Sequence, residues 1–155
     1  MNIDKKFLRQ AIKQASISVE KHGFPAGAVV VKDNKIVSRG VSLGGKLFDP
    51  TEHAETSSIK KACKKLKTTN LSGATLYASL EPCLMCLSVA NWAGVSRIVF
   101  GCKKNQHMID MKYYEGTNNS EEVNRLNSQQ IEIEYINDFE NEILKLVLDW
   151  ESNLR

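Results

Sequence analysis

The sequence contains no apolar run approaching the ~20 residues a bilayer-spanning helix requires, so nothing in it reads as a membrane anchor. Its opening, Met1-Asn2-Ile3-Asp4-Lys5-Lys6, is polar and lacks the apolar segment of a secretory leader, which predicts an intracellular, cytoplasmic chain. Net charge is nearly missing too: 21 Lys and Arg against 18 Asp and Glu leave +3. That is too little to argue for a nucleic-acid partner unless the basic residues cluster. Cysteines number only four, and in a reducing compartment they favour metal or catalytic roles over disulfides. There is no internal repeat and no linker. The 155 residues therefore fit one domain, 1–155, long enough to bury a sizeable core without staples. With 42% hydrophobic and 25% charged residues, the composition is that of an ordinary globular protein.

Along the chain, Phe7, Leu8, Ala11, Ile12, Ala15 and Val19 recur at helical spacing until His22-Gly23 stops the pattern. Residues 26–31 are a continuous apolar run and 36–41 return as a second strand after the turn-like Lys32-Asp33-Asn34-Lys35, which predicts a hairpin. A Gly-containing loop, 42–48, leads to Asp49-Pro50-Thr51, where Thr51 is the expected N-cap of a helix from about 52 to 65. Strand 74–78, helix 83–93 opened by Pro82, and strand 97–101 follow. Residues 103–118 show no clean period and read as a loop or short helix. Helix 120–127, an alternating edge strand 131–135 and a last helix from Asp138 complete the order. A hairpin followed by strand–helix units predicts an α/β fold, one mixed sheet covered by helices on both faces.

Two separated segments carry the chemistry: His53-Ala54-Glu55 and Pro82-Cys83-Leu84-Met85-Cys86. One imidazole and two thiolates are three protein ligands of the kind that hold zinc while leaving a fourth position for water. Cys83 and Cys86, at i and i+3, lie on one helix face, so both sulfurs can reach one ion. Helix N-termini lower thiol pKa and favour the thiolate form. Glu55 leaves its helix in a different direction from His53 and can address the open position, taking a proton from water and returning it to a ring nitrogen and a departing amine. H-x-E followed by P-C-x-x-C is the signature of zinc deaminases acting on nucleobases. A structural zinc site closed by a fourth ligand such as His107 is the alternative, and no further Cys-x-x-Cys half exists to complete a finger.

Asp49-Pro50-Thr51-Glu52-His53-Ala54-Glu55 and Leu80-Glu81-Pro82-Cys83-Leu84-Met85-Cys86 resemble the cytidine deaminase superfamily, in the branch of guanine deaminases, fungal-type cytosine deaminases and tRNA adenosine deaminases. The resemblance runs nearly end to end. It implies a three-layer α/β/α sandwich on a five-stranded mixed sheet, one Zn2+ per chain on His53, Cys83 and Cys86, proton shuttling by Glu55, and backbone amides of Ala54 and Cys83 that contact the substrate or the zinc-bound water. It also implies a homodimer. Trp92-Ala93 and Phe100-Gly101-Cys102 look most like guanine deaminases, whereas Leu148-Asp149-Trp150-Glu151 is similar to the C-terminal aromatic segment of fungal-type cytosine deaminase. Lys103 to Met108 replace the Lys-Thr-Gly-like stretch of the tRNA enzymes, which argues against nucleic acid and for a small heterocyclic base. Ser42 stands where the branch commonly has an Asn that holds the base, and a hydroxyl cannot make that two-point contact.

Trp150 stacks on a base or packs in the core, and Phe24 walls the pocket or packs likewise. Asp110 and Glu115 offer carboxylates to a ring N–H, or are solvated. Cys63 and Cys102 read as small core residues. Lys60, Lys61, Lys64, Lys65 and Lys67 form either a solvated helix face or a polynucleotide patch.

Overall fold

A computed structural model of the chain describes residues 2–154. Helix α1 (Ile3–Glu20), capped by the Asn2 side chain on the Lys5 amide, precedes the hairpin β1 (Phe24–Lys32) and β2 (Lys35–Ser42). A single turn, α2 (Gly44–Leu47), leads to α3 (Ala54–Leu66), β3 (Thr75–Ala78), α4 (Leu84–Trp92) and β4 (Arg97–Phe100). The short helices α5 (Gln106–Asp110) and α6 (Ser120–Leu126) come before β5 (Glu132–Tyr135), a 3-10 turn Asn137–Phe139 and α7 (Glu140–Asn153).

The strands make the expected five-stranded mixed sheet, ordered β2-β1-β3-β4-β5. Strand β1 is antiparallel to both its neighbours, while β3, β4 and β5 run parallel. All strands except β1 therefore end at one edge of the sheet, and β1 starts there.

Two glycines show how tightly the layers sit. A Cβ on Gly27 would lie 2.2 Å from the Ala15 nitrogen of α1, and one on Gly40 would lie 2.0 Å from the Ala54 oxygen of α3. Gly40 pairs with Ala28, the neighbour of Gly27 on β1, and successive strand residues face opposite ways. Helix α1 thus covers one face, joined by α7, and α3 covers the other, joined by α4. Apolar side chains with no exposure (Leu8, Val29, Val30, Leu76, Ile98, Val99 and Ile143) fill both seams.

Several expected boundaries move. Thr51 does not cap α3: Asp49 Oδ1 accepts from the Thr51 amide and hydroxyl at 2.9 and 2.7 Å, folding these residues into a separate turn. His53 is the N-cap instead, and its own amide donates to Thr56 Oγ1 at 3.0 Å. Pro82 does not open α4, because Cys83 takes the extended N-cap conformation and the helix starts at Leu84. The 42–48 loop contains α2, and the irregular 103–118 segment contains α5.

The lysine run is partly spent on the fold. Lys61 and Lys65 donate to the Arg39 and Val37 carbonyls of the edge strand β2, and Lys60 pairs with Glu52 at 2.7 Å. Lysines over an open edge oppose strand addition. At the other edge, β5 alternates exposed and half-buried residues as expected. Among the described residues, no helix is long and apolar enough to cross a membrane.

Candidate active site

The site forms where α3 and α4 begin, beyond the strand ends, the position at which open α/β sheets hold ligands. His53 and Cys83 are the N-caps of these two helices, both in extended backbone geometry. His53 Nδ1 lies 3.5 Å from Cys83 Sγ and 3.4 Å from Cys86 Sγ. All three donor atoms fall within 4.8 Å of one another. Tetrahedral zinc with ordinary Zn–N and Zn–S bonds holds its donors roughly 3.5 Å apart. The observed spacing fits that ion, and both thiols are buried. His107 is not a fourth ligand, since its Nε2 pairs with Glu151 3.0 Å away.

The three donor side chains are electrostatically coupled to one another. A hydrogen bond with Cys86, then one with His53, draws the Cys83 thiol down to about 5 against the opposing effect of burial. A hydrogen bond with Cys83, then burial, pushes the Cys86 thiol well up. A hydrogen bond to Cys83 raises His53. Glu55, on the first turn of α3, is 5% exposed, and burial lifts its carboxyl to about 7. A carboxyl that exchanges protons near neutrality suits general acid–base work.

A cavity of about 660 Å³ opens over these residues. His53, Glu55 and Cys83 line it, together with Ser42, Phe24 and Trp150 from the expected set. Phe24, Tyr113 and Trp150 form an aromatic wall: the Phe24 ring is 4.8 Å from Tyr113 and 5.2 Å from Trp150, both edge-on. Trp150 is therefore neither plain core nor free surface. Glu151, buried beside it, accepts from the Tyr113 hydroxyl at 2.8 Å and fixes the wall from behind. At the rim, Phe48 is 94% exposed.

Ala54, the first residue of α3, is fully buried under β2, and its side chain does not reach the cavity. Asp110 is not at the site. It lies exposed on α5 and accepts from Gln106 Nε2 at 2.9 Å, one turn back along the same helix. Glu115 does not line this cavity and accepts from the Leu84 and Met85 amides of α4. Cys102 is core, and Cys63 packs against it. Sequence reasoning missed Tyr113, Tyr114 and Phe48; two adjacent tyrosines in an otherwise polar, aperiodic stretch were the available signal.

Fold and site together define a zinc-dependent deaminase domain. The chain belongs to the cytidine and deoxycytidylate deaminase family, whose zinc-binding region matches residues 1–102. It is 38% identical over 101 residues to a tRNA-specific adenosine deaminase of Aquifex aeolicus, covering 65% of this chain and 67% of that one. Matches of this kind span about two thirds of the curated relatives' length. Guanine deaminase from Bacillus subtilis superposes with a TM-score of 0.66 at 31% identity, covering 98% of this chain and 95% of that one. A structure from a study of A-to-I editing by tRNA:A34 deaminases gives a TM-score of 0.78 at 27% identity, covering 92% of this chain and 99% of the other. The family region thus ends before Tyr113 and Trp150, so two of the three rings of the aromatic wall come from the remaining third, while Phe24 lies inside the matched region.

Proposed function

We propose that this protein hydrolytically deaminates a small nucleobase or close heterocyclic analogue, guanine ahead of cytosine, releasing ammonia. The observation that carries this reading is the aromatic wall. Trp150, Tyr113 and Phe24 from three distant segments of one chain close the cavity beside Glu55, which favours a flat substrate that enters whole.

His53, Cys83 and Cys86 would hold a zinc ion, which would supply the Lewis acidity that makes water nucleophilic at neutral pH. Glu55 takes the proton of the attacking water, passes it to the ring nitrogen next to the attacked carbon, and delivers a proton to the departing amine. One C–N bond is exchanged for C=O, and ammonia leaves. The aromatic wall orients the ring and excludes bulk water. Ser42 lines the cavity and is 7% exposed, offering a single hydroxyl to the base edge.

The identity to tRNA-specific adenosine deaminases supports a second reading, deamination of adenosine in a tRNA anticodon arm. Ammonia release from a panel of free bases, nucleosides and an anticodon stem-loop separates the two. Turnover of guanine or cytosine supports the first; turnover of the stem-loop alone overturns it. A homodimer accompanies either reading, and light scattering should return twice the chain mass.

A further inference from the structure

The first turn of α4 holds both cysteines, and every helix start leaves amide N–H groups without intrahelical partners. The usual remedy, a side-chain cap from the N-cap residue, is not supplied here, because that residue is Cys83 and its sulfur faces His53. The cap comes from 31 residues away. Glu115 Oε1 accepts from the Leu84 amide at 3.3 Å, and Glu115 Oε2 from the Met85 amide at 3.2 Å. Leu84 and Met85 are the two residues between the cysteines.

The loop presenting Glu115 is anchored on both sides. Lys104 Nζ donates to the carbonyls of Gly116, at 3.2 Å, and Asn118, closing the segment after Glu115. The Tyr114 hydroxyl donates to the Glu81 carbonyl at 2.7 Å, and the Glu81 carboxylate accepts from the Lys104 amide at 3.2 Å. Glu81 stands two residues before Cys83, so the loop and the cysteine turn are tied together at both ends.

We infer that Glu115 is a positioning residue for the metal centre: it replaces the missing cap of α4, fixes the turn that spaces the two sulfurs, and adds a negative charge beside the N, S, S donor set. The inference rests on the zinc reading of that set. Pinning both intervening amides restricts the relative motion of Cys83 and Cys86, and a carboxylate at a helix N-terminus is favoured by the helix dipole. Groups behind the ligands of a metal typically contribute 10- to 100-fold to metal affinity or activity.

The test is competition for zinc between the full-length protein and a chromophoric chelator, with unfolding midpoints measured on the metal-free and zinc-loaded forms. Wild type should bind one equivalent tightly; if it binds none, the zinc reading itself fails. Given wild-type binding, Glu115→Ala should raise the zinc dissociation constant about 10-fold or more. Glu115→Gln, which keeps one acceptor oxygen but not the charge, should fall between. The control is Asn119→Ala, which removes the cap that Asn119 Oδ1 places on Glu121 and Glu122 of α6 in the neighbouring segment. It should leave zinc affinity unchanged. Unaltered affinity in Glu115→Ala, or in Glu115→Gln should the alanine variant not fold, overturns the inference. Equal weakening by Asn119→Ala does so too, because the effect would then be general to the loop.

Discussion

Replacing Gly40 by alanine tests the link between packing and site in one step. The added Cβ would lie 2.0 Å from the Ala54 oxygen and 2.8 Å from the Ser58 nitrogen, both backbone atoms of α3. No side chain can rotate away, so strand and helix must separate by about 1.5 Å to reach an ordinary contact. Overpacking of this kind costs about 3 kcal/mol, the upper part of the usual range. For a domain of this size that is a fall in melting temperature of roughly 6 to 12 °C. The displaced backbone lies between His53 and Glu55, and a misplacement of about 1 Å in a catalytic group reduces turnover by about 100-fold. Gly45→Ala is the control, since a Cβ there would meet nothing within 4 Å. Scanning calorimetry and ammonia release read both effects. A Gly40→Ala protein that melts within about 2 °C of wild type and keeps its kcat/KM would refute the packing argument.

Glu55→Gln removes the proton carrier but not a donor of the metal set, so kcat should fall by about 10²- to 10⁴-fold while zinc content holds at one equivalent by atomic absorption. Trp150→Ala opens one side of the aromatic wall; steady-state kinetics should show KM rising about 3- to 10-fold, the value of one aromatic contact, with a smaller change in kcat. Asp4, on α1, accepts two bonds of 2.7 Å from the Arg97 guanidinium of β4 and a third from the Tyr77 hydroxyl. The bond to Arg97, above all, keeps its carboxyl below the ordinary 3.8. A depressed carboxyl stabilises the fold above its unfolded pKa and stops doing so as pH falls through its folded value. Asp4→Asn should therefore cost about 2 kcal/mol at pH 7, a deficit that urea melts should find shrinking below about pH 4.

What could be read in the sequence was whatever depends on local pattern. The apolar run 26–31, the turn after it and the strand-like 36–41 specified the hairpin, the strict alternation of 131–135 an edge strand, and H-x-E with P-C-x-x-C the donor set, because ligand spacing on a helix is a local property. Misplaced features were decided by competition among neighbours. Thr51 has the chemistry of an N-cap, but Asp49 engages it first, which shifts the cap to His53. Asp110 and Glu115 are both carboxylates in an aperiodic stretch, and only folding separates them: one is spent on Gln106 and the other on α4. The aromatic wall was the least legible part, since Phe24, Tyr113 and Trp150 lie as much as 126 positions apart in the numbering and share no period.

The central claim is that two segments bring one nitrogen and two sulfurs to a single ion beside a buried carboxylate. Zinc K-edge X-ray absorption on the purified protein tests it most directly. The account predicts one equivalent of zinc with two sulfurs at about 2.3 Å and the remaining neighbours nitrogen or oxygen at about 2.0 Å. Protein that retains no zinc, or a shell of four sulfurs, would contradict it.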